Sequence, residues 1–146
     1  MAIKLTFTGF DDLLKKIEKA SGNIQKAAEQ CMKQSAEIME EELKTAMHSA
    51  GGGVDEALIN RMPKYTIQSS EARVTAKVGY PSTSYNPNNP SDYHKAIFAN
   101  YGTPHRRKHG QEKARGFVTK AKRAARPKIK AQQNKALNDI LKDLSK

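Results

Sequence analysis

The chain has 146 residues, one cysteine, no tryptophan and a hydrophobic fraction of 37%. That length suits a single domain over 1–146, and the low apolar share leaves long charged side chains to solvent, a partner or a neighbouring subunit. No run approaches the roughly 18 apolar residues of a membrane helix, MAIKLTFTGFDDLLKK does not read as a secretory leader, and the lone Cys31 excludes an intrachain disulfide, so the chain reads as cytosolic.

Charge is distributed unevenly. The formal net charge is +11, yet residues 1–65 carry a net of −1 and residues 66–146 a net of +12. The second half is therefore expected to meet a negative field or an acidic protein, while the first is nearly neutral.

Taken in order, Ile3, Leu5 and Phe7 alternate with polar neighbours as a short strand with one buried face. Thr8 and Asp11 then offer a helix start, and Phe10, Leu13, Leu14 and Ile17 form one helical stripe that ends at Ser21-Gly22-Asn23. A second, longer helix carries Ile24, Ala28, Cys31, Ser35, Ile38, Leu43 and Met47 on one side and runs to Gly51-Gly52-Gly53. Those glycines read as a hinge, because no Gly-Lys-Ser/Thr follows to make a phosphate cradle. Leu58, Ile59 and Met62 predict a short turn before Pro63. Tyr65 and Ile67, then Val74, Ala76, Val78 and Tyr80, alternate as a β-hairpin joined through Ser69-Ser70-Glu71.

PSTSYNPNNPS, residues 81–91, is a loop. Ser91 is placed to cap a short helix over 92–101, with Tyr93, Ile97 and Phe98 on its apolar side and Gly102 closing it. Residues 103–116 read as a basic mobile arm. Phe117, Val118, Ala121, Ala124 and Ala125 make a weak stripe. Pro127 suits the first position of a helix or a kink. A C-terminal amphipathic helix is expected over 127–145, with Ile129, Ala136, Leu137, Ile140, Leu141 and Leu144 on one face. The elements read as α+β: a small, mostly antiparallel sheet with the long helix and the C-terminal helix packed on one face.

No catalytic residue, metal site or cofactor is expected. His105 and His109 are four apart, but Arg106, Arg107 and Lys108 beside them oppose a cation and no third ligand is placed. Asp11-Asp12 and Glu40-Glu41-Glu42 are adjacent rather than facing across a substrate. The basic run has the stronger functional claim, with eleven Lys/Arg and one Glu between Arg106 and Lys130. Phosphate neutralisation would give salt-dependent, sequence-independent affinity, but no zinc, homeodomain or aromatic-platform motif accompanies it. Arg106, Arg107, Lys108, Lys113 and Arg115 are the residues of an arm facing either an assembly partner or DNA. Lys120, Lys122, Arg123, Arg126, Lys128 and Lys130 nearly ring a helix, so they do not predict a one-sided DNA rail.

In element order the chain resembles the tail-completion, or head–tail joining, proteins of long-tailed bacteriophages and their prophages. The residues that carry this are Gly9-Phe10-Asp11-Asp12-Leu13-Leu14 as a helix opening, the long helix Ile24 to Met47, the hairpin, and Ala99-Asn100-Tyr101-Gly102-Thr103 as an aromatic-Gly-Thr helix end. That family carries Glu where Asn100 stands. Its last helix opens on an aromatic-Leu-Arg-Pro-Ala motif. Arg126-Pro127 is the better match to it, and Phe117-Val118-Thr119-Lys120-Ala121 the second. The resemblance implies a non-catalytic virion protein of the tail and neck, assembled in the host cytoplasm. Such a protein forms a ring, expected to be hexameric, between tail tube or tail terminator and head connector or stopper, with DNA passing through. The motif positions so implied are Gly9, Asp11, Leu13, Tyr101, Gly102, Thr103, Arg126 and Pro127, and no membrane partner is implied. The alternative is a small non-catalytic nucleic-acid-binding protein that uses the basic C-terminal half.

Overall fold

The computed structural model describes residues 2–6, 24–51, 54–70, 73–103 and 113–144. Strand β1 (Ala2–Thr6) is followed by helix α1 (Ile24–Ala50), the short helix α2 (Glu56–Asn60), strands β2 (Thr66–Ser70) and β3 (Arg73–Gly79), helix α3 (Asp92–Tyr101) and helix α4 (Phe117–Leu144). Phe7, the expected helix of Phe10 to Ile17 with Gly9, Asp11 and Leu13, and the hairpin turn at Glu71 lie outside the described residues.

The strands form one antiparallel sheet in the order β1-β3-β2. Alternation in β3 explains its central place: Val74, Ala76 and Val78 are buried on one face, while Arg73 and Lys77 are exposed on the other. Ile3 pairs with Val78 and joins the core, and Ile67 pairs with Ala76. On the open face the same register sets Lys4 directly opposite Lys77.

Helix α1 is the organising element, about 40 Å long at 1.5 Å per residue. Ile24, Ala28, Cys31, Met32, Ser35, Ala36, Met39, Leu43, Ala46 and Met47 are buried along it, a face wide enough to meet β3 and α4 together. The α+β class read from the sequence is the one observed, three antiparallel strands and long helices. Of those helices α1 alone lies broadly on the sheet; α4, expected on the same face, packs chiefly on α1. Helix α2 starts at Asp55, whose carboxylate accepts from the Leu58 N–H, and it buries Leu58 and Ile59. Tyr80 is buried beside it and donates to the Leu58 carbonyl at 2.6 Å.

The C-terminal helix differs from expectation. It does not begin at Pro127; it runs unbroken from Phe117 to Leu144 with Pro127 inside. A proline there removes the bond to the carbonyl four residues earlier and crowds it, at a cost of about 3 kcal/mol. Packing on both sides of the proline outweighs that cost. Phe117, Val118, Ala121 and Ala125 enter the core before it, and Ile129 and Ile140 pack against the core after it. Lys128 also pairs with Glu42 of α1.

Between α1 and α4 a polar cluster sits in an otherwise apolar seam. Ser35 Oγ lies 2.9 Å from the Cys31 carbonyl oxygen and 3.0 Å from Gln132 Oε1, and its single proton serves one of them at a time. Gln132 Nε2 donates to Gln34 Oε1 at 2.6 Å, and Gln133 Nε2 reaches Ser35 Oγ at 3.3 Å. Such pairs favour one register of α4 on α1, since a slip of one turn would take both glutamines away from the buried Ser35 hydroxyl. Cys31 is 4% exposed, and burial pushes its thiol pKa up, as expected of a packing residue.

Candidate assembly site

The junction of α3, α4 and the end of α1 gathers the residues with a functional claim. Helix α3 places Ala96, Ala99 and Asn100 in the interior. Its larger residues Tyr93, His94, Ile97 and Phe98 are only half-buried, and Tyr101 is 64% exposed. Of the apolar side expected from Tyr93, Ile97 and Phe98, Tyr93 packs against the core, and Ile97 and Phe98 stay half-buried. Alanine methyls let the helix lie close to the core, with Tyr93 packed against it, Phe98 half-buried and Tyr101 exposed. Tyr101 ends the helix without being packed into it.

Asn100 is 2% exposed and accepts from three backbone N–H groups of one segment, residues 115–118. Its side-chain Oδ1 accepts from the Val118 N–H at 2.9 Å, satisfying one of the orphan donors at the start of α4. Its carbonyl accepts from Arg115 at 3.2 Å and from Gly116 at 3.0 Å. The Arg115 N–H also approaches the Ala99 carbonyl at 3.2 Å. Gly102 N–H closes α3 on the Phe98 carbonyl at 2.7 Å with φ +78°, and Gly116 enters α4 at φ +61°. Both are left-handed backbones that favour glycine.

The chain thus leaves α3 at Gly102 and returns to the same helix end at Arg115. Of the segment expected to be a mobile arm over 103–116, the described far end, Arg115 and Gly116, is fixed on α3. Arg115 is not an arm residue at all. Its guanidinium Nη1 donates to the Ala50 carbonyl at 2.8 Å, at the C-terminal end of α1, where a cation is favoured by the helix dipole. Lys113 is exposed beside it, while Arg106, Arg107, Lys108, His105 and His109 lie outside the described residues. Thr103 is half-buried at the loop's departure.

Arg126 and Pro127 are not brought to this junction. Both are exposed, nine or ten residues along α4, about 14 Å from its start. Since α4 opens at Phe117, which is 1% exposed, Phe117-Val118-Thr119-Lys120-Ala121 holds the helix-opening position assigned above to Arg126-Pro127. Lys120, Lys122, Arg123, Lys128 and Lys130 are exposed as well, spread around α4, with Lys128 turned toward Glu42 of α1.

Loop 81–91 meets α3 through aromatic contacts. Tyr85 stands edge-on to Phe98 at 5.9 Å and tilted over His94 at 5.0 Å. Ser91 occupies the N-cap position of α3 but makes no side-chain cap. Its hydroxyl lies 2.9 Å from His94 Nδ1 and 2.6 Å from Thr83 Oγ1. The helix start is held instead by Arg61, which grips Asp92 with both Nε and Nη2 and keeps its carboxyl below the usual carboxylate range.

Sequence reasoning missed Asn100 as a cap, Ala50 as an acceptor and Gln132 as a registry residue. The first had a local signal: a polar residue just before Tyr101-Gly102, in a helix otherwise rich in alanine and aromatic residues. The others depend on pairings 65 and about 100 positions apart. Among the described residues no group of three His, Cys, Asp or Glu side chains is placed to hold a metal ion, and no helix is long and apolar enough to cross a membrane. No protein-family model, curated protein or solved structure matches this chain.

Proposed function

We propose that this chain is a non-catalytic structural subunit of a tailed-phage neck, assembling into a ring that joins the finished tail to the capsid connector around passing DNA. The observation that carries the reading is the rigidly based loop at the end of α3. Its root is the exposed Tyr101, its return is clamped by Arg115, and the sequence between them is cationic. A cationic segment anchored at both described ends suits docking against neighbouring subunits, where charge gives specificity and encounter rate. The order of strand, long helix, hairpin, short helix and final helix supports the same reading, because it is the order of the head–tail joining proteins that the sequence resembles.

Its partners under this reading are copies of itself, tail tube or terminator subunits and a connector or stopper protein, with non-specific contact to packaged DNA. Assembly takes place in the host cytoplasm and the product belongs to the virion. The test is native mass measurement of the purified chain mixed with tail-tube and connector proteins. A defined ring-sized complex is expected, and a chain that stays monomeric with both partners present sinks the reading.

A second reading, non-specific nucleic-acid binding, is favoured by the exposed cations of α4. It predicts duplex retention at low salt that falls steeply as salt rises, and no retention at low salt eliminates it.

A further inference from the structure

We propose that duplex DNA lies against the open face of the sheet, held by Lys4, Lys64, Arg73 and Lys77; this rests on the DNA contact in the two readings above and says where it occurs. Strand register builds the surface. Lys77 of the central strand stands directly opposite Lys4 on one side and Thr66 on the other. Thr75 stands opposite Gln68, and Arg73 opposite Ser70. Val74, Ala76 and Val78 point into the core, so these residues share the other face. Tyr65 packs against the core, which turns its neighbour Lys64 to the same side as Thr66. All four cations are exposed.

Two features set this face apart from an ordinary solvated one. The first is its sign. Among the described residues no Asp or Glu stands on the face, and none of the four cations takes part in an ion pair. Arg61, Lys44, Lys95 and Lys128, by contrast, each have a carboxylate beside them. The second is the cross-strand pair of Lys4 and Lys77. Like charges directly opposite destabilise a sheet, and an anion seated between them offsets that cost.

The uncharged side chains separate duplex DNA from other anionic partners. Apart from Ala2, those described on the face are hydroxyls and one amide, from Thr66, Gln68, Ser70 and Thr75. A protein partner is held by apolar and aromatic anchors at the centre of its contact, and the described part of this face has none. Single-stranded nucleic acid needs aromatic rings on which bases stack, which are missing here too. Lys, Arg, Ser, Thr and Gln are residues that contact phosphate oxygens and position a duplex without reading its sequence. From Arg73 to Lys77 is about 13 Å along the strand, the axial rise of about four phosphates on one DNA strand. The cations of α4 are more numerous, but they are spread around the helix and fewer of them meet one duplex together.

The experiment is fluorescence anisotropy of a short labelled duplex with the full chain, at about 50 mM and about 200 mM salt. It compares wild type, Lys4→Glu, Lys4→Gln/Lys77→Gln and, on α4, Lys122→Gln/Arg126→Gln. Wild type is expected to hold the duplex at the lower salt and release it at the higher. Lys4→Gln/Lys77→Gln should weaken binding about tenfold and flatten the salt dependence by about 0.9 for each lost contact, with the α4 variant within about threefold of wild type. Lys4→Glu should melt higher than wild type, because it sets an opposite charge against Lys77, and yet bind less well. A purely structural role for Lys4 would move both readouts together. Duplex binding that survives Lys4→Gln/Lys77→Gln, or falls as far with the α4 variant, overturns this face and leaves the DNA contact standing. Preference of wild type for single-stranded DNA or polyglutamate over the duplex overturns the face as well. A wild type that fails to hold the duplex at the lower salt overturns both the face and the nucleic-acid reading, while the ring is judged separately by native mass measurement with tail and connector partners.

Discussion

The Arg115 guanidinium donates to the Ala50 carbonyl, so a residue from the basic segment closes the end of a helix 65 positions away. Two neighbouring cations therefore have different roles. Arg115→Ala is expected to lower stability by about 1.5–3 kcal/mol, the range for a hydrogen bond from a charged donor, while exposed Lys113→Ala stays within about 0.5 kcal/mol of wild type. Urea unfolding followed by circular dichroism measures both. Equal effects would show that Arg115 is a surface residue like Lys113.

Asn100→Ala removes the acceptor for the Val118 N–H at a position where water does not reach. A loss of about 1–2 kcal/mol is expected from the missing cap. Amide exchange at Val118 should accelerate more than exchange in the middle of α1. Asn100→Asp keeps the acceptor oxygen and is expected to retain the slow exchange.

Tyr80 links acid–base chemistry to folding. Burial raises its hydroxyl pKa far above the ordinary value of about 10, with the nearby Asp92 charge acting in the same direction. The unfolded chain therefore loses this proton first as pH rises. Stability from Tyr80 is intact below pH about 10 and declines above it, because the unfolded state then binds fewer protons than the folded one. Tyr80→Phe should be less stable than wild type at pH 7, having lost the bond to Leu58, and its melting temperature should fall less steeply at alkaline pH. Parallel pH profiles for the two proteins would refute the linkage.

Pro127 is exposed inside α4, so replacing it touches no core contact. Pro127→Ala restores a backbone donor and relieves the crowding, and should stabilise the protein by about 1–3 kcal/mol. If Pro127 instead has a role in assembly, the variant melts higher and yet assembles less well, which native mass measurement would reveal.

What the sequence disclosed follows the range of the forces involved. Strand alternation in Val74, Ala76 and Val78 and the three-to-four spacing from Ile24 to Met47 report local burial, and both elements stand where that patterning puts them. The boundary at Pro127 misled because an intrinsic penalty of a few kcal/mol competes with side chains anchored on a distant helix, and a one-dimensional pattern does not contain that helix. Helix α3 misled for a related reason. Patterning makes Tyr93, Ile97 and Phe98 its apolar side; Tyr93 does pack against the core, but close approach puts Ala96 and Ala99 deepest and leaves Ile97 and Phe98 half-buried. At the candidate site the exposed tyrosine and the glycines were visible as residue types. The division of labour between Arg115 and Lys113 was not, since it arises only from the return of the chain to α3.

That return has a consequence for how the protein can vary. Departure at Gly102 and re-entry at Arg115 are tied to the same helix end, so residues added between them do not separate α3 from α4. Doubling a closed loop of this kind costs only about 0.6 kcal/mol in chain entropy. Loop length is thereby uncoupled from the scaffold. An epitope or fluorophore tag placed between Gly102 and Arg115 should therefore leave the fold intact.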